Sequence, residues 1–174
     1  MLYMSKKLYY LVGLLIGFIV MVVMQLPSDK ARMVVCDVGQ GDAILILKGR
    51  YQVLIDGGPS REKILSCLEE YIPFYDRTIE LIVLTNTDSD HMNGLSAVVE
   101  RYQVIQFVTS DGVHSSDALV RLRGELATAG IVPVPVEQGD QIHIGDESGL
   151  QFKVLWPPDT NEEYVAVLGN EIDK

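Results

Sequence analysis

Cysteine is scarce in this chain. Cys36 and Cys67 are the only two among 174 residues, with no CxxC pair and no cluster of cysteine with histidine. That excludes zinc ribbons, zinc fingers and dithiol redox motifs, whose ligands or thiols lie a few residues apart. Cys36 sits in an apolar, strand-like run and Cys67 on the apolar face of a helical pattern, so two buried free thiols are expected rather than a disulfide. Basic residues are few as well. From Met33 onward ten Lys and Arg face twenty-three Asp and Glu, a balance of −13 in a chain whose net charge is −10. A field of that sign repels polyanions, which argues against broad electrostatic binding of nucleic acid or anionic lipid unless metal ions or a local patch reverse it. Internal repeats and low-complexity tracts are absent, so a solenoid is excluded too.

One long uncharged run is present. Leu8 to Met24, "LYYLVGLLIGFIVMVVM", is seventeen residues without a charge, bounded by Lys6 and Lys7 on one side and by Pro27, Asp29, Lys30 and Arg32 on the other. Apolarity on every face at the N-terminus, between basic flanks, reads as a membrane helix rather than a core helix. "MQLPSDKARM" offers no small-x-small cleavage site, which favours an uncleaved anchor over a signal peptide. The chain divides into a short tail (1–7), a transmembrane anchor (8–26), a linker (27–32) and one domain (33–174). Lys6, Lys7 and the free amino group place the N-terminus in the cytoplasm, so the expected localisation is the cell membrane, single-pass, with the acidic domain outside.

Beyond the anchor, glycine and proline punctuate the sequence. "MVVCDV", "DAILILK" and "YQVLIDGG" are three strands in a row, an antiparallel start. Ile64, Leu65, Leu68 and Tyr71 recur at helical spacing over Arg61 to Tyr71, and Pro73 ends the pattern. A strand over Ile79 to Thr85, a helix from Gly94 to Tyr102, the strand "VIQFV" and a helix from Ser116 to Ala129 follow. The strands "IVPVPV", "QIHIG" and "LQFKVLW" come last. Strands alternating with helices after a meander define an α/β fold with a mixed sheet, whose chemistry belongs in the loops at the strand ends.

The loop richest in ligands is inside "LIVLTNTDSDHMNGL", Leu81 to Leu95. If the chain stays extended past Thr85, Asn86, Asp88 and Asp90 project to one side, and a turn brings His91 to the same point. Carboxylates with one imidazole suit Zn²⁺, Mn²⁺ or non-haem iron. Asp37, Gln40 and Asp42 in "DVGQGD" and Asp56 in "LIDGG" stand at neighbouring strand ends. Each alone is ordinarily a turn residue, and Gly39, Gly41, Gly57 and Gly58 ordinarily serve the backbone.

Taken together, "VVCDVGQGDAILI", "YQVLIDGGP", "YDRTIELIVLTNTDSDHMNGL" and "VLWPPDT" resemble, in order and spacing, the signatures of the ComEC, competence-type hydrolase domain of the metallo-β-lactamase superfamily. The resemblance covers Met33 to about Thr160. It implies an αββα sandwich, of which this chain holds the first part: the chain ends at Lys174 soon after "VLWPP", so a truncated product or a partner subunit is expected.

The superfamily's strand-end motif is HxHxDH, and HxDxDH in ComEC-like members. Asn86 stands where the first histidine belongs, whereas Asp88, Asp90 and His91 match. The resemblance therefore implies a divalent metal, Zn²⁺ or Mn²⁺, held by Asp88, Asp90 and His91. Asp90 would be the catalytic residue that orients the metal-bound nucleophile, with Asp56, Asp37 and Asp42 in support. Asn86 offers only a neutral amide oxygen, which weakens the first metal position. A later "GD" aspartate and a distal histidine complete the family's site, and neither His114 nor His143 matches that distal motif. Phosphodiester bonds, extracellular DNA among them, are the substrate the resemblance implies. The competing expectation is a degenerate binding or regulatory module that keeps the fold without catalysis.

Overall fold

The structure, a computed structural model, describes residues 6–24, 28–110, 117–146 and 149–156. The uncharged run forms helix α1, Lys6–Met24, whose 19 residues extend about 28 Å at 1.5 Å per residue. By length and composition it is one helix capable of crossing a membrane, and none of that window is buried in the protein.

The period-two runs become strands β1 (Arg32–Val35), β2 (Ile44–Lys48) and β3 (Tyr51–Ile55), paired antiparallel in sequence order. Parallel strands β4 (Thr78–Leu84), β5 (Gln103–Thr109) and β6 (Val134–Pro135) extend the same sheet in the order β1-β2-β3-β4-β5-β6. Parallel neighbours need crossovers, and these are helices α2 (Arg61–Tyr71), the short α3 (Ser89–Met92) with α4 (Leu95–Arg101), and α5 (Asp117–Thr128). Strands β7 (Gln141–Ile144) and β8 (Leu150–Lys153) form a separate antiparallel pair.

Alternation along the strands assigns the two faces. Leu45, Leu54, Ile82 and Phe107 point to the helices and meet Ile64 and Leu68 of α2, Leu95 and Val98 of α4 and Leu122 of α5. Val53, Leu81 and Val108 point the other way, where Ile144 and Phe152 of the β7–β8 pair cover them. Helices, large sheet and small sheet are thus stacked as three layers, the arrangement expected of the first part of an αββα sandwich. Because β3, β4 and β5 are parallel, the loops leaving Ile55, Leu84 and Thr109 emerge at one edge, and that edge carries the candidate site.

Three expectations are corrected. Cys36 and Cys67 are not free thiols: they form a disulfide with a Cα–Cα distance of 5.8 Å across a sequence separation of 31. The chain leaves strand geometry at Val35, and Cys36, whose N–H still donates to Ala43 O, then lies under the inner face of α2 where Cys67 points. The run "MVVCDV" accordingly ends as a strand at Val35 rather than Val38. The run "IVPVPV" yields only Val134 and Pro135, since its prolines have no N–H to give to a ladder. His143 lies exposed on β7, and His114 falls outside the described residues.

Candidate active site

Asp56 is the fixed point of the site. It leaves β3 with φ +57, the single described non-glycine residue in the left-handed region, and is 2% exposed. Its carboxylate accepts from the Thr85 N–H at 2.8 Å and from the Thr85 hydroxyl at 2.6 Å, and His91 Nδ1 approaches it at 2.9 Å. A strained, buried carboxylate survives only when its surroundings hold it, and these three contacts do so. Thr85 had no assigned part in the sequence. Its signal is its position, the first residue past β4, where its N–H and hydroxyl reach the neighbouring parallel strand's exit. Ser110, past β5, is tied in by its hydroxyl, which donates to Thr85 O at 2.7 Å.

The two loops dock backbone to backbone. Gly57 N–H donates to His91 O at 2.6 Å, and Gly94 N–H donates to Gly58 O at 2.8 Å. A Cβ on Gly94 would fall inside the contact shell of Gly57 O, and one on Gly57 would strike the Leu95 side chain. Glycine at these two positions is what lets His91 approach Asp56. The "DGG" motif and the loop glycine thus have a shared cause in close approach, with a positive φ at Gly58 added.

His91 stands above its ordinary pKa, first because of its hydrogen bond to Asp56, then through the charges of Asp56, Asp90 and Asp42, with partial burial opposing them. A raised histidine stabilises the fold fully below about pH 6.5 and loses that contribution as pH climbs through the folded-state value. In chelator, the wild-type unfolding midpoint is therefore expected to fall between about pH 6 and about pH 8.5 more than that of His91→Gln. Parallel midpoints in the two proteins would remove the ion pair from the account.

The remaining candidates divide. Asp88 precedes α3 with an extended backbone, and its side chain takes a bond from the Asn86 amide at 2.9 Å while its N–H donates to Asn86 Oδ1 at 3.2 Å. Asn86, Asp88 and Asp90 do not continue as an extended strand: Asp90 and His91 are successive residues of α3. Asp90 is exposed and acts on His91 through its charge. Asp42 acts likewise, and its carbonyl accepts from Gly58 N–H at 3.0 Å. Asp37 turns to Lys63 of α2 at 3.6 Å, and Gln40 is exposed.

A divalent ion tests this arrangement on two counts. The donor chemistry suits it: a neutral His91 that gives its Nδ1 proton to Asp56 keeps an Nε2 lone pair, and Asp88 and Asp90 are carboxylates nearby in sequence. The number of donors falls short. Among the described residues no three His, Cys, Asp or Glu side chains converge as a metal site. These residues alone do not make one.

Parallel strand exits thus bring a buried aspartate, a histidine and an acidic loop together at one edge of the sheet. The metallo-beta-lactamase superfamily profile matches residues 36–161, and the chain belongs to that superfamily. Recombination protein 2 of Haemophilus influenzae is 29% identical over 99 residues, 55% of this chain and 13% of that protein, so the match spans a small part of the relative's length. Among solved structures, a metallo-β-lactamase with a HARLDQ motif from Cronobacter sakazakii is 15% identical with a TM-score of 0.46, covering 72% of this chain and 52% of its own. The apo chemotaxis sensor ODP from T. denticola is 19% identical with a TM-score of 0.42, covering 70% and 51%.

Proposed function

We propose that this chain carries a metal-dependent hydrolase site, anchored in the cell membrane by α1 and directed at phosphodiester bonds. The observation that carries the reading is the Asp56–His91 pair, in which a buried carboxylate clamped by Thr85 sets the tautomer and direction of an imidazole. Such carboxylate–histidine pairs orient metal-ligating histidines. Asp88, Asp90 and His91 are the proposed ligands, with Asp90 the proposed catalytic residue, Asn86 a weak neutral donor, and further donors supplied from outside the described residues. Zn²⁺ or Mn²⁺ is the proposed ion. Asp56 and Thr85 have positioning roles: they hold His91 and touch no substrate. Asp42 adds negative charge beside His91, and a supporting part for Asp37 would compete with its contact to Lys63.

The phosphodiester assignment, DNA included, rests on the resemblance to ComEC-type domains and on the partial likeness to Recombination protein 2. The −13 balance of the domain opposes a polyanionic substrate, so binding would have to depend on the metal. The Cys36–Cys67 disulfide supports a domain outside the reducing cytosol, in keeping with a cytoplasmic N-terminus.

One observation favours the second reading, a non-catalytic binding or regulatory module. Asn86 and Asp88 satisfy each other by two hydrogen bonds, which occupies atoms that ligation would need. Hydrolysis of bis(p-nitrophenyl) phosphate and of a short DNA duplex in Mn²⁺, by the wild-type chain and by Asn86→His, separates the readings. The hydrolase reading expects the restored imidazole to raise the rate by at least about tenfold. No hydrolysis by either protein would leave the binding module.

A further inference from the structure

At the opposite edge of the sheet, where the strands begin, there is a second constellation that the hydrolase site does not use. Arg32 of β1 pairs with Leu47 of β2, and Leu47 with Gln52 of β3, so Arg32 and Gln52 lie in one row across three strands. A cavity of about 290 Å³ opens over this row, with Ser28, Lys30, Tyr71, Phe74 and Asp76 among its lining. Gln52 is 3% exposed. Its Nε2 donates to Asp76 Oδ2 at 2.8 Å, which fixes the amide orientation, and its Oε1 is buried with no hydrogen-bond partner. A buried acceptor left without a donor costs about 1–3 kcal/mol, so a donor that reached Gln52 Oε1 would be favoured by that order.

The charges around that acceptor are arranged by depth. Asp76 is half-buried and accepts from Gln52 and from the Thr78 N–H at 3.1 Å, and no cationic side chain pairs with it among the described residues. At the exposed rim, Arg32 lies over the Tyr71 ring with its guanidinium 5.5 Å from the centroid, and Lys30 has no ion pair among the described residues. Glu69 and Glu70 also line the cavity, and Glu69 pairs with Arg101. An anionic, hydrogen-bond-accepting floor with Lys30 and Arg32 at the rim offers a partner to each end of a zwitterion that enters ammonium first.

We propose that this cavity binds a primary ammonium tethered to a phosphate, the chemistry of phosphoethanolamine and of an ethanolamine phospholipid headgroup. The ammonium donates to Gln52 Oε1 and Asp76, and the phosphate meets Lys30 and Arg32. A quaternary ammonium has no N–H for Gln52, so choline is disfavoured. Placement supports a lipid as the source: Ser28, on the cavity wall, is four residues past Met24, the end of α1. Four residues reach at most about 14 Å, so the cavity cannot stand far from a bilayer that α1 spans. The exposed Phe74 and Tyr75 rings, 5.5 Å apart, lie beside it as interfacial aromatics do. The lipid source rests on the anchor reading; the ammonium–phosphate chemistry does not.

The test is hydrogen exchange at the Gln52 and Thr78 amides of the full chain, in nanodiscs of phosphatidylcholine with and without phosphatidylethanolamine, and in detergent with free phosphoethanolamine or phosphocholine. At about ten times Kd, exchange is expected to slow by about tenfold with phosphoethanolamine and not with phosphocholine. Asp76→Asn, which keeps one oxygen for the Thr78 N–H but presents an NH2 to Gln52 in place of the second carboxylate oxygen, removes the anionic acceptor and should abolish the effect, and Lys30→Ala, at an exposed position, should weaken it. Protection in ethanolamine nanodiscs identifies the lipid, and protection by free phosphoethanolamine alone identifies a soluble ligand at the same site. A chain that binds phosphoethanolamine in detergent yet fails to enter nanodiscs defeats the anchor and leaves the site. Equal protection by phosphocholine, protection that survives Asp76→Asn, or no protection by any ligand would overturn the proposal.

Discussion

Asp56→Ala is expected to destabilise the domain by about 3 kcal/mol, because it strands three partners at once. The Thr85 N–H and hydroxyl lose their acceptors and the His91 imidazole loses its counter-charge, all around a side chain that is 2% exposed. Alanine at φ +57 adds roughly 1 kcal/mol of backbone strain that aspartate tolerates better. Asp56→Asn separates the contributions. Asparagine accepts this φ and still offers one oxygen to Thr85, so about half of the loss should be recovered while the raised pKa of His91 collapses. Urea unfolding with NMR titration of His91 reads both quantities. An Asp56→Ala protein within about 0.5 kcal/mol of wild type would mean that the pair does not hold the loops together.

The second large effect concerns the disulfide. Closing a loop with a separation of 31 residues removes chain entropy from the unfolded state, a contribution of roughly 3–4 kcal/mol by the loop-length relation. Reduction, or the double change Cys36→Ser and Cys67→Ser, should lower stability by that order, and Cys36→Ala with Cys67→Ala somewhat less, since both positions are buried among apolar side chains. Identical denaturation midpoints with and without reductant, with the bond shown to be intact beforehand, would contradict this. Recovery of the oxidised form from intact cells would place the domain outside the cytosol.

How legible these features were depends on the physical range of each signal. Period-two apolar runs fixed β2, β3 and β4, and the spacing of Ile64, Leu65, Leu68 and Tyr71 marked α2; the Ser60 cap on its first turn, through the Lys63 N–H, was not read from the sequence. These are local effects. The disulfide was missed because separation along the chain carries no information about two Cα atoms brought to 5.8 Å by helix–sheet packing. The extent of β6 was overestimated because apolar alternation in "IVPVPV" outweighed the missing proline donors.

The site was partly legible. The meeting of Asp56 and His91 at one sheet edge followed from strand-end placement, whereas the turn of helix α3 that separates Asp90 from Asp88 did not follow from alternation. The mutual satisfaction of Asn86 and Asp88 depends on a two-residue turn whose hydrogen bonds compete with ligation, and residue types alone do not decide that competition.

The most direct test of the proposed metal site is the number of ions the full chain holds. Equilibrium dialysis in detergent against Mn²⁺ or Zn²⁺, with bound metal counted by mass spectrometry, should find at most about one ion in the wild type, more in Asn86→His, and none in Asp90→Ala. Two tightly held ions in the wild type, unchanged by Asn86→His, or no ion in either protein, would contradict it.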